Sequence, residues 1–268
     1  MSGVVTVAAP PGRLVSTSLS RVWMTALGLA LAVAVWSIVA AAGLFPRALF
    51  PTVTEIGHAG WGLWESGDLA ADVLHSLQRA IAGFVLGAAI GFALAVLTSV
   101  TGTGRRLLQP VLRLFAPIPT IGLVPLAILW FGLGESSKVS VIALGVFVPV
   151  WISSHAGLST TPEDFLKAAR CLGANRWLTL YRVVIPEAVP DVVAGLRVGA
   201  AMAFVVIVVA EMTGTTNGLG FRIYQAQLFS QADQLIFCLV VLGILGAVTD
   251  QLIARLSAPL IAWSVEER

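Results

Sequence analysis

The chain reads TPEDFLKAARCLGANRWLTLYRVVIP from Thr161 to Pro186, a charged stretch inside a sequence that is otherwise almost continuously apolar. Thr161 is a good N-cap, and Pro162 suits the first position of a helix. Gly173 is placed to end this helix, because glycine enters the left-handed C-cap conformation at little cost. Asn175 can then cap a second helix, which Pro186 is expected to stop. The stretch therefore predicts two short helices joined by a glycine turn.

Both predicted helices are amphipathic. Apolar residues recur at helical spacing along one stripe of each helix, whereas the basic residues lie mostly off the stripes. The stripes comprise Phe165, Ala168, Ala169 and Leu172 in the first helix and Trp177, Leu180, Tyr181 and Val184 in the second. Two interpretations stay open: a hairpin lying on the inner leaflet beside anionic headgroups, or a docking surface for a soluble partner.

The composition places the rest of the chain in a lipid bilayer. Its 268 residues are 57% hydrophobic and 11% charged, and the mean hydropathy is +0.92, which is too apolar for one soluble core. A helix needs about 20 mostly apolar residues to span the hydrocarbon. Six candidate spans lie at about residues 22–45, 78–100, 109–132, 137–158, 192–212 and 234–256. The sequence predicts an all-α membrane protein, a polytopic bundle of about six transmembrane helices.

The domain organisation follows from these spans. One transmembrane domain is expected at residues 22–263, between a flexible cytoplasmic N-terminus at 1–21 and a cytoplasmic tail at 264–268. The first apolar segment is longer than the apolar region of a signal peptide, about 7 to 15 residues, which predicts a retained helix. Residues 53–64 of the following loop predict a short interfacial helix with Trp61 and Trp64 at headgroup level.

The basic residues predict the orientation, because short loops rich in Lys and Arg stay in the cytoplasm. One side of the predicted bundle carries Arg13, Arg21, Arg105, Arg106, Arg113, Lys167, Arg170, Arg176, Arg182, Arg255 and Arg268. The other side carries Arg47, Arg79, Lys138 and Arg222. Both termini are therefore expected in the cytoplasm. The net charge of +2, without a basic face that interleaves aromatic residues, gives no support to nucleic-acid binding.

Charged residues inside predicted spans need partners, because burial in lipid is costly. Arg197 and Asp250 lie at matching depth on antiparallel neighbouring spans, and we predict that they form an ion pair. Glu211 lies near the outer mouth, where a gate or a structural cap is expected. In the third span, Pro117, Pro119 and Pro125 remove backbone donors at membrane depth.

Broken backbone of this kind suggests a translocation path beside the third span, with Pro117, Pro119, Trp130 and Glu211 as pathway or gate candidates. A kinked packing helix is the alternative. Glycines spaced by four, at residues 83, 87 and 91 and at 195 and 199, allow close helix packing in lipid. We expect that packing within the chain rather than across a dimer.

The sequence shows no constellation for chemistry of its own. Neither Lys138 nor Lys167 follows a glycine-rich phosphate loop, no G-x-S-x-G motif occurs, and His58, His75 and His155 lack metal-ligand spacing. No catalytic residue, metal or cofactor is therefore assigned to the chain.

The 161–186 stretch resembles the cytoplasmic signature loop of binding-protein-dependent ABC importer permeases. That loop is normally written Glu-Ala-Ala, three residues, then Gly. Here Lys167-Ala168-Ala169 precedes Gly173, and Ile185-Pro186 follows. Further matches extend over about residues 50–263 and resemble the branch that imports sulfonates, taurine and nitrate: Ala116-Pro117-Ile118-Pro119, Leu129-Trp130-Phe131-Gly132, Gly134-Glu135-Ser136-Ser137-Lys138, Ala210-Glu211-Met212 and Gly218-Leu219-Gly220.

The resemblance implies a type I ABC importer permease fold in a bacterial cell membrane, with a helix-turn-helix coupling loop that docks on cytoplasmic ATPase subunits. ATP and Mg would be held by those subunits, a second copy of the permease would complete the path, and an extracytoplasmic substrate-binding protein would deliver the solute. The implied coupling residues are Glu163, Lys167, Ala168, Ala169, Arg170, Leu172, Gly173, Ala174 and Pro186. An ATP-independent channel or secondary carrier is one alternative, and an intramembrane enzyme is another.

One residue departs from the family pattern. Lys167 stands where the family usually has Glu, which reverses a charge. We expect Lys167 to pair with Glu163, four residues before it on the same helix. A matched change of charge in the ATPase is the alternative.

Overall fold

The computed structural model describes residues 18–265, and the side chains of residues 23–262. Within this range the chain forms α1 (Ser18–Ala41), α2 (Val53–Glu65), α3 (Asp68–Val100), α4 (Gly102–Phe115), α5 (Val124–Phe131), α6 (Glu135–Ser159), α7 (Glu163–Cys171), α8 (Arg176–Thr179), α9 (Ile185–Met212), α10 (Leu219–Leu228) and α11 (Ala232–Val265). The predicted all-α class is confirmed. The predictions for segments 1–21 and 264–268 fall almost entirely outside the described residues.

Five helical segments are long and apolar enough to cross a membrane: α1, α3, α6, the run from α8 through α9, and α11. The predicted third span at 109–132 is not one continuous helix. Instead, α4 meets the short 3-10 helix Thr120–Leu123 and α5 at an angle of 90°. Pro117 and Pro119 lie in this bend, where each lacks a backbone donor and restricts the residue before it. The described residues contain six candidate spans only if the bent pair is one of them.

The prediction for the second span was also wrong at its start. The span at 78–100 begins at Asp68 in the structure, so most of the loop expected between the first two spans is helical. Arg79 therefore lies well inside α3, where its side chain is buried.

The bundle is built around α6, which packs against α3 on one side and α9 on the other. Glycines allow the close approach: a Cβ on Gly91 would lie 2.7 Å from the Phe147 carbonyl oxygen, and one on Gly199 would lie 3.0 Å from Val150 Cγ2. Packing of the glycine-spaced segments within the chain is confirmed. The core between these helices contains the fully buried Ile142 and Ile207.

The outer layer comprises α1, α2 and α11. Helix α11 packs on α9 and α10, and α2 packs on α11. Helix α1 is exposed along most of its described length and is joined to the segment before α2, where Trp36 Nε1 donates to the Pro51 carbonyl at 3.0 Å. The Trp36 ring also stacks on Phe50, with centroids 4.1 Å apart.

The short helix predicted over 53–64 is confirmed as α2. A capping box begins it: the Thr52 backbone N–H donates to Glu55 Oε2 at 2.7 Å, and the Glu55 N–H donates to Thr52 Oγ1 at 3.3 Å. These hydrogen bonds from the Thr52 backbone and hydroxyl hold the pKa of the Glu55 carboxyl below its usual value. Trp61 and Trp64 are both exposed, as expected for interfacial anchors.

Candidate functional site

The hairpin from Thr161 to Pro186 has the predicted glycine turn. Gly173 follows α7 with φ of +78°, the left-handed conformation that favours glycine. Asn175 Oδ1 accepts from the Leu178 N–H at 2.8 Å and caps α8. The predicted cap at Thr161 is wrong: α7 begins at Glu163 with Pro162 at the N-cap position and no side-chain cap. The Thr161 hydroxyl is left without a hydrogen-bond partner.

Pro186 does not stop the second helix. After α8 the chain widens into a π-helical turn, Leu180–Val184, and continues directly as α9. Pro186 lies in the first turn of α9, where the missing N–H is tolerated. A proline that ends one helix and a proline that begins the next leave the same sequence signal, and here the second interpretation is correct.

The apolar stripes of the hairpin divide between two surfaces. Ala169 and Leu180 are buried against the bundle, whereas Leu172, Trp177 and Tyr181 are 87%, 77% and 71% exposed. Three large exposed apolar side chains on one short hairpin are typical of an interaction site. We call Leu172, Trp177 and Tyr181 the exposed hairpin face.

Lys167 forms the intrahelical pair expected from the sequence. Its Nζ lies 3.5 Å from Glu163 Oε2 and 3.3 Å from Asp164 Oδ1. All three side chains are exposed, so the pairs contribute only a few tenths of a kcal/mol. Of the other implied coupling residues, Ala168 and Arg170 are exposed and Ala174 is partly buried.

A second polar assembly lies at the end of the bundle opposite the hairpin. We call it the distal polar cluster, and it comprises Asp72, Ser76, Arg79, Glu135, Glu211 and Arg222. Arg79 donates to both oxygens of Glu135 at 2.6 and 2.7 Å and to Glu211 Oε1 at 2.7 Å. Ser76 Oγ donates to Glu211 Oε2 at 2.8 Å. The Glu211 side chain is fully buried and that of Arg79 is 5% exposed, so each depends on its partners for compensation of charge.

The cluster also fixes the start of α10. The first N–H groups of a helix have no partner inside the helix. Here Gly218 donates to Asp72 Oδ1 at 2.7 Å, Leu219 to Ser76 Oγ at 2.9 Å and Gly220 to Glu211 Oε2 at 2.9 Å. Side chains from α3 and α9 thereby hold α10 against the bundle.

Glu211 was expected as a gate or a structural cap. Its carboxylate accepts from Arg79, Ser76 and the Gly220 N–H, and no part of the side chain is exposed. This geometry favours the structural cap, because a gate group needs access to the passing solute.

Sequence reasoning missed Arg79 as a buried residue. With the span starting at residue 78, Arg79 was counted among the charges of an outer loop. The available signal was a helical apolar pattern that continues through residues 69–77, together with Glu135 and Glu211 as acidic residues at the same end of two other spans. Lys138 is buried too, and its Nζ donates to the carbonyls of Leu133 and Gly134 at 3.1 and 3.2 Å.

The pathway candidates other than Glu211 lie on the surface of the single chain. Pro117, Pro119 and Trp130 are all exposed, near or within the bent segment that joins α4 to α5. The structure thus separates them from Glu211, which is inside the distal polar cluster. Their place on a translocation path stays a prediction.

No metal or catalytic centre is evident in the part of the chain that is described. Among these residues no group of three or more His, Cys, Asp or Glu side chains could hold a metal ion. His155 contacts Thr98 Oγ1 and Ser99 Oγ through Nδ1 and Gln109 through Nε2, at 2.9 to 3.1 Å. It thereby joins α6 to α3 and α4.

The structure brings Arg197 and Asp250 together. Arg197 Nε and Nη2 donate to the two carboxylate oxygens of Asp250 at 2.7 and 2.8 Å. The pair joins α9 to α11. The side chain of Arg197 is 46% exposed and that of Asp250 is 35% exposed. At this depth the exposed surface faces lipid or another protein, where a charge without its partner is costly.

We expect Arg197→Met or Asp250→Asn alone to lower the free energy of unfolding by about 1 to 3 kcal/mol, because each leaves an uncompensated charge. The double variant should cost less than either single variant. Thermal unfolding in mild detergent measures this, with Arg255→Met on α11 as the control. A double variant no more stable than the worse single variant would rule out the coupling.

Comparison with known proteins gives the family. A protein-family model, described as binding-protein-dependent transport system inner membrane component, matches residues 83–260. The chain belongs to this family. It is the permease subunit of an ABC importer, a transport component and not an enzyme, and the match includes the hairpin, α9 and Glu211.

Relatives of this permease support the assignment along most of its length. A putative ABC transporter permease of Methanocaldococcus jannaschii is 34% identical over 87% of this chain and 89% of that protein. The putative aliphatic sulfonates transport permease SsuC of Bacillus subtilis is 31% identical over 90% and 88%. The taurine transport system permease TauC of Escherichia coli is 32% identical over 76% and 72%.

A solved structure supports the fold. The permease resembles a chain of the methionine ABC transporter MetNI in an inward-facing conformation, with a TM-score of 0.62 and 21% identity over 70% of this chain and 94% of that one. The type I ABC importer permease fold expected from the resemblance is confirmed.

Proposed function

We propose that this permease imports a small organic anion, an aliphatic sulfonate or taurine, using ATP hydrolysed on separate cytoplasmic subunits. Nitrate, a small inorganic anion, is a further candidate. The relatives named for aliphatic sulfonates and taurine, each at about 30% identity over most of the chain, support the choice of substrate. A separate extracytoplasmic binding protein would deliver the solute.

The exposed hairpin face supports ATPase docking. Leu172, Trp177 and Tyr181 leave large apolar side chains uncovered in the single chain, and a docked partner would remove that surface from water. Of the coupling residues implied by the resemblance, Leu172 belongs to this face and Gly173 follows it in the turn. Arg170 and Ala174 line a cavity on the bundle side of the hairpin, Ala169 is buried and Pro186 lies in α9. ATP and Mg would be bound by the partner, and closure of its nucleotide site would move the hairpin.

The orientation and assembly are part of the same proposal. The hairpin and the basic α4 would lie in the cytoplasm together with both termini, and the distal polar cluster would lie at the outer face. Two copies of the permease would enclose the path, because a single bundle of five or six spans leaves little room for a solute. Residues 213–233 and α2 would then face the binding protein.

Uptake by the reconstituted complex tests the proposed function. The permease, its ATPase and its binding protein are placed in liposomes, and accumulation of radiolabelled taurine, ethanesulfonate and nitrate is followed with ATP or a non-hydrolysable analogue. We expect at least about tenfold more sulfonate or taurine uptake with ATP than with the analogue. Methionine serves as the unrelated control solute. Equal uptake with and without hydrolysis would contradict ATP coupling, and failure to transport any of the three anions would contradict the substrate class.

A further inference from the structure

A cavity of about 330 Å³ separates the hairpin from the transmembrane bundle. Its walls come from the last turns of α3 and α6 on the bundle side and from α7, α8 and the π turn on the hairpin side. It lies behind the exposed hairpin face, so it is a different surface from the one proposed to dock the ATPase. We call it the hairpin cavity.

The polar lining of the hairpin cavity is suited to an anion. Two arginines and four residues of the serine and threonine type line it, and no acidic residue does. These residues are Ser99, Ser159, Thr161, Arg170, Arg176 and Thr179. Guanidinium groups present several N–H donors in a planar fork that matches the oxygens of phosphate or sulfonate groups.

The two arginines are free to accept an anionic partner. The two carboxylates on α7, Glu163 and Asp164, pair with Lys167 on the same helix. Across residues 23–262, no carboxylate oxygen lies within 4.0 Å of the guanidinium nitrogens of Arg170 or Arg176. The positive charge of Arg170 and Arg176 is therefore not compensated by any carboxylate among residues 23–262.

The rest of the lining is apolar. Leu158, Leu166, Leu180 and Val184 lie among the polar residues on both walls, and they lower the local dielectric and strengthen any charged hydrogen bond. The Thr161 hydroxyl oxygen is buried and has no hydrogen-bond partner among the described residues, so it has no surface open to the cavity.

We propose that the hairpin cavity binds a tetrahedral oxyanion group, a phosphate, sulfate or sulfonate, through Arg170 and Arg176. The group could belong to a free cytoplasmic anion or to the headgroup of an anionic lipid, since the cavity lies where the bundle leaves the membrane. Bound there, the anion joins α7 and α8 to the ends of α3 and α6 and fixes the position of the hairpin. The proposal does not depend on which solute is imported.

Titration of the permease in nanodiscs tests this proposal. In discs of phosphatidylcholine, sodium sulfate or inorganic phosphate is titrated against chloride at constant ionic strength, and heat is measured by calorimetry. We expect saturable binding that the double variant Arg170→Gln with Arg176→Gln weakens by at least about tenfold. Arg170→Gln or Arg176→Gln alone should weaken binding several-fold. Arg182→Gln is the matched control, an exposed hairpin arginine outside the cavity, and should bind as the unaltered protein does.

A second set of discs distinguishes the two sources of the anion. When phosphatidylglycerol is included, sulfate binding that persists identifies a free anion. A lipid headgroup is identified by two results together. Sulfate binding disappears, and phosphatidylglycerol stays with the unaltered protein through detergent extraction but does not stay with the double variant. Either result supports the site. The proposal is overturned if the protein shows neither oxyanion binding nor selective lipid retention. It is also overturned if the double variant binds as well as the unaltered protein. If the double variant does not fold, Arg170→Gln and Arg176→Gln, each alone, decide by the same criteria.

Discussion

Arg79→Met is expected to lower the free energy of unfolding by about 3 to 5 kcal/mol, because it leaves the buried carboxylate of Glu211 without its cation. Methionine keeps much of the length of the arginine side chain, so a cavity contributes little to this loss. The measurement is thermal unfolding of the purified permease in mild detergent, together with the fraction that elutes as a single species. Few single substitutions have a larger effect, since most cost about 0.5 to 3 kcal/mol.

Three further variants identify the cause of that loss. Arg47→Met removes an exposed arginine from the segment between α1 and α2 and should leave the free energy of unfolding unchanged. Glu211→Gln should cost less than Arg79→Met, because Arg79 keeps both bonds to Glu135. Combining Arg79→Met with Glu211→Gln should recover part of the lost stability. A normal unfolding temperature for Arg79→Met would contradict the central role of this arginine.

Gly173→Val is expected to reduce ATP-driven uptake by more than about tenfold while the bundle stays folded. A valine at φ of +78° is strained by roughly 1 to 2 kcal/mol, so the turn between α7 and α8 must change shape. No other atoms lie within 4 Å of the added Cβ position, so the core is not disturbed. Uptake and ATP hydrolysis by the reconstituted complex are the measurements, and hydrolysis should lose its dependence on transport.

Gly43→Val is the matched control for this change. Gly43 also has a positive φ, +66°, with open space around it, but it lies in the segment between α1 and α2, away from the hairpin. It should keep normal uptake at a similar cost in strain. Unaltered uptake in Gly173→Val, or an equal loss in Gly43→Val, would count against coupling through the hairpin.

Residues whose role depends on local physics could be read from the sequence. Gly173 and Asn175 were recognisable because few residues suit a left-handed turn or an N-cap. Arg197 and Asp250 could be paired because two charges inside apolar spans have few ways to be compensated. The bend of the third span was expected from its prolines, since these remove the backbone donors of a regular helix.

Other features depended on contacts between distant segments. The length of α3 decided the environment of Arg79, and a charge near the end of an apolar segment does not reveal whether the helix extends past it. Thr161 has the residue type of a cap but lies against the bundle instead, because the position of α7 is set by the burial of Ala169. Pro186 was assigned to the wrong helix boundary for a related reason, since packing decides whether the next turn continues.

The direct continuation of α8 into α9 has a mechanical consequence. From Arg176 to Met212 the backbone is helical without a sharp bend, and the distance from Ile185 to Glu211 is about 39 Å at 1.5 Å per residue. A helix resists compression along its axis far better than a loop does, so a push on α8 would arrive at Glu211 almost undiminished. The wide turn Leu180–Val184 is the one change of pitch along this rod, and it is where the rod can absorb torsion. The conformational change of the nucleotide-binding partner would then be transmitted to the far side of the membrane by one continuous helical segment.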